Sequence, residues 1–97
     1  VNLFVHPGAL ADLNDAAAFY TERANNELGF SLISEFERAI GMLSSNPELG
    51  ATWRGSVRRL PLRRFPYSLV YQIKAQELRV IALAHQRRRP GYWKDRK

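Results

Sequence analysis

The sequence contains no cysteine. Disulfides, thiolate nucleophiles and cysteine-ligated zinc are therefore excluded, and packing alone must hold the core, as suits a reducing compartment. No apolar run approaches the roughly 18 residues that span a bilayer, and the opening "VNLFVHPG" lacks the basic flank and long apolar stretch of a signal peptide. The expectation is a cytoplasmic protein with no membrane partner. Histidine is nearly absent, and neither His6 nor His85 has a neighbouring Asp or Glu, so no metal site is expected and no cofactor either. Lysine is scarce in the basic half, where Lys74, Lys94 and Lys97 stand among ten arginines.

What is present suits one domain spanning 1–97, since 45% hydrophobic and 25% charged residues are near the values of ordinary globular domains. The charge is unevenly placed. Residues 1–53 hold two arginines and seven acids, whereas residues 54–97 hold thirteen Lys or Arg and two acids. Such a field draws a polyanion or an acidic protein to one end of the molecule.

Periodicity orders the elements. "VNLFVH" alternates through Val1, Leu3 and Val5 and ends at Pro7-Gly8, which predicts a short strand. From Ala9, the residues Leu10, Leu13, Ala17, Tyr20 and Ala24 recur at helical spacing, with Asp12, Asp15, Glu22 and Arg23 on the other side. A second stripe, Ile33, Phe36, Ile40 and Leu43, stops at Ser44-Ser45-Asn46-Pro47. The two helices should form an antiparallel hairpin. After a loop, "PELGATWRG", strands are predicted at 56–62, 67–74 and 78–85, the last two joined by the turn "AQE". In the final strand Leu78, Val80, Ala82 and Ala84 oppose Ile81 and Leu83, so both faces should be covered. The expected fold class is α+β, with an N-terminal strand, a helical hairpin and a three-stranded antiparallel sheet, the helices packed on one sheet face.

Three stretches, "ALADLNDAAAFY", "RRLPLRRFPYSLVYQI" and "LRVIALAHQRRRPGYW", together resemble the RelE/ParE toxins of bacterial type II toxin–antitoxin modules. The resemblance covers nearly the whole chain. It implies the strand, helix, helix, strands order reached from periodicity, and a cognate antitoxin whose flexible segment wraps the toxin and covers its working surface. Activity divides within the family: RelE-like members are ribosome-dependent endoribonucleases acting on mRNA, whereas ParE-like members inhibit DNA gyrase by binding. The lysine-rich RelE surface is missing here, which favours the ParE branch. A non-catalytic basic nucleic-acid-binding module also fits the charge distribution.

Two chemistries then compete for the basic half. Metal-free RNA cleavage needs a base for the 2′-hydroxyl, cations for the phosphorane and an acid for the leaving oxygen. By resemblance to the RelE pattern the matching positions are Arg58, Arg64, His85, Arg88 and Tyr92, with His85, Tyr92 and Arg64 as the catalytic set of such an RNase. The alternative for His85 is a strand-end histidine that bonds a neighbouring backbone and orders the tail. A binding surface instead needs only cations, and Arg58, Arg59, Arg63, Arg64, Arg87, Arg88 and Arg89 supply guanidinium forks for phosphate or carboxylate. Tyr92 can stack on a base or fold back on the sheet; Trp53 and Trp93 are expected to pack, as are Tyr67 and Tyr71. His6, beside Pro7, reads as a cap or as solvated.

Overall fold

The computed structural model describes residues 2–89 and 91–96. Its elements are β1 (Asn2–Val5), α1 (Pro7–Arg23), α2 (Asn26–Ser45), β2 (Ala51–Arg54), β3 (Val57–Pro61), β4 (Tyr67–Lys74) and β5 (Glu77–His85). Pro7 supplies a preset φ at the first turn of α1, while Nδ1 of His6 caps it by accepting the Gly8 N–H at 2.9 Å. Asn25 breaks the helical run and restarts it, its Oδ1 accepting the Leu28 N–H at 2.8 Å to cap α2. The hairpin is tight where Gly29 meets α1. A Cβ at Gly29 would lie 2.2 Å from Thr21 Oγ1 and 2.9 Å from the Ala17 carbonyl oxygen, so no other residue allows this approach.

The strands form one mixed sheet in the order β1-β5-β4-β3-β2, and the helices cover one face of it. The sheet has five strands where an N-terminal strand and a three-stranded sheet are expected. β1 joins the sheet, parallel to β5, and β2 arises inside the stretch expected to be a loop, pairing antiparallel with β3. Four residues carry too little alternation to register as a strand by pattern; the neighbour β3 supplies the hydrogen bonds that make β2 one. The helical stripes are each turned slightly from the expected lines. Leu10 is exposed, and α1 instead buries Leu13 with Ala9, Ala16 and Ala17, the small alanine side chains bringing it close to α2 and β5. On α2 the deepest line is Leu32, Phe36, Ala39 and Leu43, with Ile33 and Ile40 at its margins.

β5 departs from simple alternation. Val70 of β4 pairs with Ala82 and the next residue, Tyr71, pairs with Val80, leaving Ile81 as the extra residue of a β-bulge. The bulge inverts the parity expected from the sequence. Leu83 joins Leu78 and Val80 under the helices, while Ala82 and Ala84 turn with Ile81 to the opposite, open face. There Trp93, folded back from the C-terminal segment, packs with Val70, Ile81 and Ala82 and is 4% exposed. β5 is thus covered on both faces, by α1 and α2 on one and by the tail on the other.

The turn between β4 and β5 is strained. Ala75 (φ 51°) and Gln76 (φ 62°) both adopt left-handed backbone, the signature of a two-residue turn that prefers Asn-Gly. Relief of a Cβ clash of about 1–2 kcal/mol outweighs the extra chain entropy of glycine, about 0.5–1 kcal/mol. Gln76→Gly is therefore expected to stabilise the fold by about 0.5–1 kcal/mol, measured as a higher midpoint in urea at unchanged slope.

Candidate basic site on the open sheet face

At the His85 end of the open face a small cleft of about 50 Å³ forms where β4, β5 and the tail meet. Trp53 and Trp93 wall it, their rings 5.5 Å apart, and Arg59 lies over Trp53 with its guanidinium carbon 4.8 Å from the ring centre. Arg88, Arg89 and His85 complete the basic rim. A cation held against an aromatic face is fixed without a carboxylate partner, so its charge stays available to an incoming anion.

The structure sorts the arginines expected from the sequence. Arg59, Arg88 and Arg89 come together at this cleft. Arg58 does not: its guanidinium donates to the carbonyls of Glu48 (3.1 Å) and Gly50 (2.8 Å), clipping the segment before β2 against β3. Arg63 and Arg64 line a different groove, with Phe30, Glu35 and Arg38 of α2, where the Arg63 backbone N–H donates to Glu35 Oε2 at 2.7 Å. Through Arg38, and to a lesser degree Arg63, the Glu35 carboxyl is held below its usual pKa. Arg87 is exposed, and its backbone N–H donates to Nδ1 of His85 at 3.0 Å.

That bond defines His85. The ring packs edge-on against Tyr67, centroids 5.0 Å apart, and its Nδ1 lone pair is spent on the chain that begins the tail. The proton is left on Nε2, which makes the ring a donor in this arrangement. Tyr92 is also engaged. Its hydroxyl lies 3.0 Å from Asp12 Oδ2 and 3.2 Å from the Leu83 carbonyl oxygen, and Arg88 stacks over its ring at 3.7 Å. Burial first, and the Asp12 carboxylate second, push the phenol up to about 12.

Asp12 is the residue that sequence reasoning missed. The helical pattern puts it on the outer side of α1, yet its side chain is 9% exposed and takes four donors: the Leu83 N–H (3.1 Å), the Tyr92 hydroxyl, and Arg96 Nη1 (2.7 Å) and Nη2 (3.3 Å). Arg96 Nη1 also donates to the Ile81 carbonyl at 3.1 Å. The cause is topological. β1 pairs with β5 only as far as Val80, so beyond it the edge of β5 meets side chains instead of a strand. No local pattern marks a carboxylate for this role.

Family comparison decides the identity. The family described as "ParE toxin of type II toxin-antitoxin system, parDE" matches residues 3–90. The chain belongs to the ParE toxin family. It is a type II toxin, the component of such a module that an antitoxin partners. A solved chain from the chromosomal ParDE TA system of P. aeruginosa shares the fold, with a TM-score of 0.79 at 22% identity, covering 88% of this chain and 95% of that one. Comparison with curated proteins gives no match. Among the described residues of this ParE-family chain, no helix is long and apolar enough to cross a membrane.

A pH dependence follows from Tyr92. A phenol whose folded pKa is raised contributes stability that is complete below the unfolded value near 10 and is lost as pH climbs towards about 12. Tyr20, Tyr67 and Tyr71 are raised too, chiefly by burial, and act in the same direction. Urea melts should therefore show stability falling between pH 10 and 12, with a shallower fall in Tyr92→Phe. An unchanged slope in that variant would contradict a locked phenol.

Proposed function

We propose that this toxin arrests growth by binding DNA gyrase through the cleft formed by Arg59, Arg88, Arg89 and the Trp53–Trp93 wall, and that its antitoxin silences it by covering the same open face. The supporting observation is that the cleft holds guanidinium groups ready to bind, whereas its one imidazole, His85, has no free lone pair at Nδ1 with which to take a proton. His85 spends its lone pair on the Arg87 N–H and Tyr92 keeps its proton against Asp12. A general base must have a free lone pair within reach of the proton it removes.

The second reading is a metal-free ribonuclease using His85, Tyr92 and Arg64, and the observation in its favour is that His85 shares the cleft with Arg88 and Arg89. Pulsed expression separates the two, with labelled thymidine and labelled amino acid followed in parallel. DNA synthesis is expected to fall first, equally with His85→Ala, and to be spared when Arg59, Arg88 and Arg89 are all changed to Glu. An earlier fall in protein synthesis, abolished by His85→Ala, would establish the ribonuclease and overturn the binding reading.

A further inference from the structure

A cavity of about 620 Å³ lies at the other end of the open face, where the β4–β5 turn meets the tail. Four cations line it: Lys74 from β4, Arg79 from β5, and Lys94 and Arg96 from the tail. Two are fixed. Arg79 lies over the Phe4 ring at 4.3 Å and is paired with Glu77, while Arg96 is anchored by Asp12. Among the described residues neither Lys74 nor Lys94 forms an ion pair, and Glu77 is the one acid in the lining. The cavity therefore carries a positive excess, two of its cations anchored by neighbours and two exposed ammonium groups beside them.

We propose that this cavity is a phosphate-backbone contact for duplex DNA. The lining argues for the ligand class. Apart from Ala75 it offers no apolar side chain, so it gives a peptide nothing to anchor, and it has no aromatic on which an unpaired base would stack. Cations alone suffice for a phosphodiester. The inference stands whichever target the His85 cleft engages.

The test is fluorescence anisotropy of a labelled 20-base-pair duplex of arbitrary sequence with the full chain, between 50 and 200 mM salt. Each phosphate contact contributes about −0.9 to the slope of log affinity against log salt. The double variant Lys74→Ala/Lys94→Ala is expected to bind about tenfold more weakly at low salt and to have a slope smaller by nearly 2. Both side chains are exposed, and an unchanged thermal midpoint will show that the fold is kept. The proposal is overturned if wild type does not bind the duplex at 50 mM salt, or if the double variant binds with the same affinity and slope. Tighter binding of polyglutamate than of the duplex would also overturn it, assigning the cavity to an acidic peptide.

Discussion

Asp12→Ala is expected to cost about 3 kcal/mol of folding free energy. The carboxylate removed is almost buried and serves a backbone N–H, a phenol and a guanidinium at once. A lost neutral hydrogen bond costs about 1 kcal/mol, and a buried group left unpartnered about 1–3. Breaking a buried ion pair costs more still, about 3–5, but Arg96 is 21% exposed and regains part of its hydration, which brings the sum down. At about 4–8 °C per kcal/mol for a domain of this size, the midpoint should drop by roughly 15 °C. The change should also reach the tail. Trp93 is buried only because the segment that carries it is docked, so its emission should shift to the red below the melting transition. Asp12→Asn, which keeps an acceptor but not the charge, should lose less. A midpoint within a degree or two of wild type in Asp12→Ala would mean that Trp93 packing alone holds the tail.

Gly50→Ala tests the other side of the sheet. A Cβ there would stand 2.6 Å from the Tyr71 hydroxyl, 2.7 Å from its Cε1 and 2.8 Å from the Arg59 carbonyl oxygen. Neither neighbour can yield cheaply. Tyr71 is fully buried and its hydroxyl accepts the Gly50 N–H at 2.8 Å while donating to the Pro47 carbonyl at 2.7 Å; Arg59 is part of the β3 backbone. Overpacking of this kind costs about 1–3 kcal/mol, and loss of the Tyr71 bonds adds about 1 more. The expected total, about 3 kcal/mol, should appear as a lower urea midpoint at unchanged slope. Because β3 carries Arg59 into the basic cleft, the variant should also inhibit growth less than its remaining folded fraction predicts. Toxicity that simply tracks stability would show the cleft to be insensitive to the position of β3.

Sequence alone settled the order and identity of most elements, because helix and strand periods are local signals. His6 reads equally as a cap or as solvated until its Nδ1 is seen to accept the Gly8 N–H, whereas the stop before Pro47 and the Tyr67–Lys74 strand both follow from residues a few positions apart. So does the concentration of positive charge in the second half, and the three stretches that tie the chain to its family. Tertiary structure decided what depends on distant partners. It made β2 a strand by giving it β3, and it inverted the parity of β5 through the bulge at Ile81, which only pairing with β4 defines. It also drew Asp12 into a network with Tyr92 and Arg96 that spans nearly the whole chain. The arginines divide for the same reason: their density is written in the sequence, but whether a guanidinium clips a loop, as Arg58 does, or faces the open cleft, as Arg59 does one residue later, is fixed by alternation across a sheet whose two faces have different covers.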